Sequence, residues 1–345
     1  MRSPSIEIRS KIIFVAIILV SMNVLAWLWT LISFHAFPLL MGTAFLAYTF
    51  GLRHAVDADH IAAIDNVTRK LMQQGQRPVG VGLFFSLGHS TIVFGLSVAI
   101  AVTSVTLKDK FDSLQSVGGI VGTSVSAFFL SAIAALNILV LIGIWRTLES
   151  VKQGKAYVDE DLDLTLAKRG LMGRIFRSLF RLIASSWQMY LVGFLFGLGF
   201  DTATEVGLLG ISATQASKGL PMWSILVFPA LFTVGMCLID CIDSLLMLGA
   251  YGWAFVKPIR KLYYNLTVTF VSVVVALFVG GLEAIGLLKD QLKWNGGVWD
   301  LIGSLNDNLG LLGVVIFGVF LLSWIGSVLI YRVKGFDRLG SGTRV

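Results

Sequence analysis

Residues 12–32 read IIFVAIILVSMNVLAWLWTLI, a run of 21 positions without a charge. Crossing the hydrocarbon core of a bilayer takes about 20 mostly apolar residues in a helix. Arg2, Arg9 and Lys11 precede the run, which raises the possibility of a signal peptide. The run is too long for an ordinary signal h-region, and no small-x-small site closes it, so it is expected to remain as a first helix. Working outward, similar runs recur at Leu39–Ile61, Gly80–Val102, Gly118–Trp145, Tyr190–Ser212, Trp223–Gly249, Leu262–Leu288 and Gly310–Tyr331. The expectation is an all-α, polytopic membrane protein of about eight transmembrane helices, one transmembrane domain over residues 1–345.

Composition agrees. Hydrophobic residues make up 56% of the chain and charged residues 14%, against roughly 25% charged in a soluble domain; the mean hydropathy is +0.83. The net charge of +7 raises the question of nucleic acid, but the charge is distributed by side. The two tails and the 2–3, 4–5 and 6–7 connections hold 21 of the 27 Lys and Arg residues. The opposite loops hold Lys108, Lys110, Lys218, Lys289 and Lys293, and Arg53 lies inside a span. Cationic segments stay in the cytoplasm, so both termini are expected to be cytoplasmic in a multi-pass protein of the bacterial inner membrane, with the lipid bilayer as partner and no nucleic acid. The long connection Arg146–Trp187 is then a cytoplasmic loop, with Arg174, Arg177 and Arg181 spaced to lie on an anionic leaflet. Cys237 and Cys241, one helical turn apart, suit packing rather than a disulfide. Oligomeric state is not legible in the sequence.

Two segments repeat. Phe50-Gly51-Leu52 recurs as Phe196-Gly197-Leu198, 146 residues on, and Phe85-Ser86-Leu87-Gly88-His89-Ser90 as Phe232-Thr233-Val234-Gly235-Met236-Cys237, 147 residues on. The related spans run in opposite directions, which predicts an inverted repeat of spans 1–3 and 4–6, an architecture that places a site at the repeat interface near the midplane.

Polar residues gather on the same spans: Arg53, His54, Asp57, Asp59 and His60 on span 2, His89 and Ser90 on span 3, Asp201 and Glu205 on span 5, Met236, Asp240 and Asp243 on span 6. A charged side chain at the bilayer centre costs at least about 2.5 kcal/mol, so six carboxylates in this zone need cations to pair with or to hold. Imidazole with carboxylate suits borderline divalent ions such as Ni²⁺, Co²⁺, Cu²⁺ or Zn²⁺, not Mg²⁺ or Ca²⁺. At about 100° per residue, a regular span 2 would align His54, Asp57 and His60 in one stripe facing the pathway and turn Asp59 toward a neighbour or Arg53. Thr202, Thr204 and the cysteines read as packing residues.

These residues also carry a family likeness. Arg53-His54-Ala55-Val56-Asp57-Ala58-Asp59-His60-Ile61 resembles the HX4DH signature of the nickel/cobalt transporter (NiCoT) family of eight-span secondary permeases. Leu87-Gly88-His89-Ser90-Thr91, Leu198–Glu205 and Gly235–Ser244 resemble its third-, fifth- and sixth-span motifs. The resemblance implies high-affinity, low-capacity uptake of Ni²⁺, Co²⁺ or both, as substrate and not as a cofactor, feeding metalloenzyme or cobalamin assembly, with a cytoplasmic metallochaperone as a candidate partner. It makes His54, Asp59 and His60 the signature residues, which sets Asp59 against the helical-phase argument. The metal candidates are therefore His54, Asp57, Asp59, His60 and His89, with Arg53, Ser90, Asp201, Glu205, Met236, Asp240 and Asp243 along the pathway or behind it. In the sixth motif Cys241 and Ser244 stand where the family has Thr and Gly, which bears on metal preference. No enzyme is expected, since the His-Glu-x-x-His of an intramembrane metalloprotease is absent and four histidines are too few for a di-iron desaturase. The alternatives are a divalent metal exporter of related architecture, an intramembrane metalloenzyme, or a proton-coupled carrier using the histidines as a relay.

Overall fold

The computed structural model describes residues 4–102, 108–152, 183–199, 203–254 and 258–333. Among these residues every regular element is a helix: α1 (Pro4–Phe34), α2 (Pro38–His54), α3 (Ala58–Gln73), α4 (Val81–Val102), α5 (Lys108–Lys152), α6 (Met189–Phe196), α7 (Ala203–Ser217), α8 (Met222–Ile225), α9 (Val227–Ala254), α10 (Pro258–Leu292), α11 (Val298–Asp307) and α12 (Leu309–Val333), with 3₁₀ turns at Ser186–Gln188 and Gly197–Gly199. Most of the 146–187 loop lies outside the described residues.

Among the described residues five helices are long and apolar enough to cross a membrane: Ile8–Phe34, Val81–Ala99, Ile120–Arg146, Met222–Gly252 and Thr269–Leu292. A sixth is the pair Val298–Asp307 and Leu311–Phe320, bent by 77°. They differ in what they touch. Helix α1 buries a narrow stripe, Val15, Leu19, Ala26, Thr30 and Phe34, while Phe14, Ile17 and Ile32 are exposed where lipid would lie. Helix α9 is mostly buried and packs against α1, α2, α3 and α4. Small residues permit that closeness. A Cβ on Gly51 of α2 would overlap the Phe232 carbonyl of α9, and one on Gly82 of α4 would overlap that of Asp240.

The apolar runs at 39–61 and 190–212 are not continuous helices. Helix α2 closes with the Val56 and Asp57 amides bonding back three residues, to the carbonyls of Arg53 and His54. Asp57 is extended (φ −65°, ψ 147°), and the helix restarts as α3 at Ala58. Gly313 of α12 sits so near the Val56 carbonyl at this break that a Cβ there would overlap it. The regular span 2 assumed in the phase argument is thus interrupted. The second run changes from α6 to a 3₁₀ turn at Gly197–Gly199 and resumes as α7 at Ala203.

Helix α3 departs most from its sequence pattern. Residues 62–73 read as the start of a cytoplasmic loop, yet Asp65, Asn66, Thr68, Arg69 and Lys70 are all buried. Polar partners explain this. Asp65 accepts hydrogen bonds from Tyr251 and from Ser272 Oγ at 2.7 Å. Arg69 donates to Thr269 Oγ1 (3.0 Å) and Asn66 Oδ1 (2.9 Å), Asn137 donates to the same Asn66 oxygen, and Lys70 donates to the Ile183 carbonyl at 2.8 Å. Buried polar groups with partners fix one arrangement of the helices that carry them.

Candidate metal centre

Three histidines converge in the interior. His54 is the last residue of α2, His60 lies in the first turn of α3, and His89 is in α4. One ring nitrogen from each lies within 4.8 Å of the others, and none of the residues is more than 3% exposed. His54 Nε2 is 2.9 Å from His89 Nε2, which is itself 2.8 Å from Glu205 Oε1 in the first turn of α7. Glu205 Oε1 is 3.9 Å from His54 Nε2 and so stands on the edge of the same cluster.

Carboxylates stand behind two of the rings. Asp57 Oδ2 is 3.2 Å from His54 Nδ1, and Thr204 Oγ1 is 3.3 Å from the same nitrogen. Both Asp240 oxygens are 3.4 Å from His60 Nδ1, and Ser86 Oγ donates to Asp240 Oδ2 at 2.6 Å. A carboxylate accepting from Nδ1–H fixes the tautomer with an Nε2 lone pair for a metal and makes that nitrogen more basic. His60 Nε2 and His89 Nδ1 are buried without a hydrogen-bond partner. The cluster can offer three imidazole nitrogens and a carboxylate oxygen to one ion, a donor set suited to borderline divalent metals.

The break in span 2 exchanges the roles that helical phase assigned. Asp57 sits behind His54, whereas Asp59 lines a cavity together with His54, His89 and Glu205. Asp59 Oδ1 also accepts from the His60 amide at 2.9 Å. One extended residue between two helices resets the direction in which every later side chain points. Among the other sequence candidates, Arg53 is exposed. Ser90 is buried beside the cluster with its hydroxyl unpartnered. Met236 is fully buried in an apolar group with Ala47, Ala55 and Phe232. Asp243 is buried with neither carboxylate oxygen hydrogen-bonded, and Asp201 lies outside the described residues. Both cysteines are free and buried.

The structure brings to this region four residues that sequence reading left out of the site, Thr204 among them as a packing residue. Ser86 holds Asp240, Thr204 supports His54, and Glu283 and Asn306 line the cavity. A lone acid in the apolar run Leu262–Leu288 was a usable signal for Glu283; nothing in the sequence distinguishes Ser86 from a packing serine.

An all-α, multi-pass membrane protein with interrupted helices around buried imidazoles and carboxylates has the build of a membrane transport protein. The chain belongs to the NicO family, described as high-affinity nickel-transport protein, whose model matches residues 40–330. It is 56% identical to the high-affinity nickel transport protein of Cupriavidus necator over 329 residues, covering 95% of this chain and 94% of that one. It is 39% identical to the high-affinity nickel-transport protein NixA of Helicobacter pylori over 303 residues, covering 86% and 90%. It is 41% identical to the cobalt transport protein NhlF of Rhodococcus rhodochrous over 298 residues, covering 86% and 84%. No solved structure matches. The family is one of transporters and not of enzymes.

Proposed function

We propose that this protein takes up Ni²⁺, Co²⁺ or both across the bacterial inner membrane, with His54, His60, His89 and Glu205 as the ligands the ion meets at mid-membrane. The observation that carries the reading is the meeting of three buried imidazoles from three helices, two of them backed by carboxylates. Asp57 and Asp240 orient the rings, and Asp59 lines the approach. Both termini are cytoplasmic by the distribution of Lys and Arg, and eight spans result when α2 with the start of α3, and α6 with α7, each count as one interrupted crossing.

Packing supports the inverted repeat. Gly51 of α2 lies against Phe232 of α9, and Gly193 of α6 lies against Phe85 of α4. Conversely, Gly235 of α9 lies against Tyr48, and Gly88 of α4 against Tyr190. The two helix pairs make the same kind of contact, displaced by about one turn from the sequence offset. Rocking of one half against the other would open the cluster to each side in turn.

The ion needs no co-substrate on energetic grounds. A potential of 100 mV, inside negative, is worth about 4.6 kcal/mol to a divalent cation at about 2.3 per charge, enough for roughly 10³-fold accumulation. The test is uptake of radiolabelled Ni²⁺ and Co²⁺ into proteoliposomes with and without an imposed potential. Wild-type protein should accumulate metal, and His54→Ala or His60→Ala should abolish uptake while leaving the protein inserted. Near wild-type uptake by either variant at limiting metal would remove these histidines from the pathway.

A further inference from the structure

Glu283 is a carboxylate that the histidine cluster does not account for. It lies on α10, within the membrane-crossing stretch Thr269–Leu292, and is 3% exposed. An ionisable residue inside a membrane span is rare and by default marks an ion pathway. Glu283 lines the same cavity as His54, Asp59, His89 and Glu205, together with Asn306 from the end of α11. Asn306 packs on α10 at Gly286, close to the bend between α11 and α12. Its Oδ1, like His89 Nδ1, is buried without a hydrogen-bond partner, so the cavity wall offers acceptors that the protein itself leaves unused.

Depth orders these groups. At about 1.5 Å per residue, Glu283 lies about 14 Å from the Leu292 end of α10, Glu205 about 18 Å from the Ser217 end of α7, and His54 about 24 Å from the Pro38 end of α2. In the orientation proposed above, all three ends are on the outer face. Counted from those ends, Glu283 is the outermost of the groups on this cavity, the position at which an ion entering from outside would first meet a carboxylate. The cavity, about 40 Å³, has room for about three waters at roughly 10–15 Å³ each, so an arriving ion must already have exchanged part of its hydration shell for protein oxygens.

We propose that Glu283, with the Asn306 amide oxygen, is a capture site for the incoming divalent cation. It takes the partly hydrated ion on hard oxygen ligands and passes it inward to Glu205 and the imidazoles. This rests on the uptake reading, but it can fail separately. The experiment measures initial rates of radiolabelled Ni²⁺ uptake against external Ni²⁺ for wild type, Glu283→Gln, Glu283→Asp and Asn306→Ala at matched membrane levels, with equilibrium Ni²⁺ titration of the purified proteins alongside. Loss of a focusing charge slows capture by about tenfold or more. Glu283→Gln should therefore raise KM about tenfold while the saturated rate stays within about threefold; Glu283→Asp should recover most of the loss, and Asn306→Ala should move KM in the same direction. Equilibrium binding at the histidine cluster should be little changed. An unchanged KM in Glu283→Gln and Asn306→Ala, or a fall in saturated rate alone, overturns the capture role and leaves Glu283 as a structural acid. Should Glu283→Gln fail to insert, the KM of Asn306→Ala decides. Absence of Ni²⁺ and Co²⁺ uptake in the wild type would strike the uptake reading itself.

Discussion

Asp240→Asn separates a ring-orienting carboxylate from a metal ligand. Asp240 is fully buried and has two tasks, accepting from His60 Nδ1 and from Ser86 Oγ. An asparagine keeps the shape but has one acceptor oxygen where the carboxylate has two. If that oxygen faces His60, the amide NH₂ meets the Ser86 hydroxyl; if it faces Ser86, the NH₂ meets His60 Nδ1–H and pushes the ring toward the other tautomer, removing the Nε2 lone pair. Loss of such an outer partner costs about 10–100-fold in metal affinity, or about 1.4–2.7 kcal/mol at 1.4 per tenfold step. Either orientation costs His60 its charged acceptor, and among the described residues no second group stands at His60 Nδ1, which places Asp240→Asn near the upper limit.

Asp57→Asn provides the internal control. Thr204 Oγ1 stands 3.3 Å from the same His54 nitrogen that Asp57 holds at 3.2 Å, so a second acceptor remains when the charge is lost. Asp57→Asn should fall near the lower limit, about tenfold. Adding Thr204→Val should deepen the loss beyond the sum of the single changes, because each single variant retains the other acceptor. The assay is calorimetric titration of Ni²⁺ into detergent-purified protein, with thermal unfolding followed in parallel to show that the fold survives. Asp240→Asn binding Ni²⁺ as tightly as wild type, or Asp57→Asn losing more than Asp240→Asn, would refute the assignment of these carboxylates to the rings.

Arg69→Met removes a buried cation and its hydrogen bonds to Thr269 and Asn66, each worth about 1.5–3 kcal/mol for a charged donor, and leaves buried Asp65 without that cation nearby. Thermal unfolding should fall sharply, and Asp65→Asn combined with Arg69→Met should recover part of the loss; strict additivity would show that the two charges do not interact. Gly51→Leu forces a side chain into the Phe232 backbone, an overpacking that costs about 1–3 kcal/mol or more. Because His54 is three residues further on, uptake should be lost even where the protein still inserts, whereas the same change at Gly42, which faces open space, should leave uptake near wild type.

The sequence carries the membrane class, the family and the histidines, because each is local information: run length, motif spacing, and imidazole where apolar residues are expected. The roles of Asp57 and Asp59 were not legible from periodicity. They depend on one extended residue, Asp57, and an interruption of that kind is stabilised by contacts from elsewhere, here the passage of α12 at Gly313 beside the Val56 carbonyl. The family signature singles out Asp59 on different grounds, and in the structure Asp59 lines the cavity. The burial of α3 was hidden for a related reason. A helix rich in Asp, Asn, Arg and Lys reads as solvated until Tyr251, Thr269 and Ser272, some 200 residues away, turn out to supply its partners.

Two restarted helices beside a cation site pose an electrostatic problem, since a helix N-terminus carries a partial positive charge of about half a unit. The first turns resolve it. Helix α3 carries Asp59 in its first turn and is preceded by Asp57, and α7 carries Glu205 in its first turn. The dipoles that would repel a metal ion favour negative charge on these side chains, so the anionic set is supported between transport events, when no ion is there to stabilise it. Asp59 and Glu205 are 146 residues apart, the offset at which Phe50-Gly51-Leu52 recurs and which motivates the proposed repeat, and both line the cavity. Each half of the protein would then present one dipole-supported carboxylate to the ion. The imidazoles come only from the first half, since the positions matching His54 and His89 are Phe200 and Met236. A site with hard ligands from both halves and nitrogen ligands from one loses its symmetric clamp when the halves move apart. In the proposed rocking, the carboxylate of the second half withdraws while the groups of the first half still hold the ion, and an ion that has lost one of its protein ligands is more readily released to the other side.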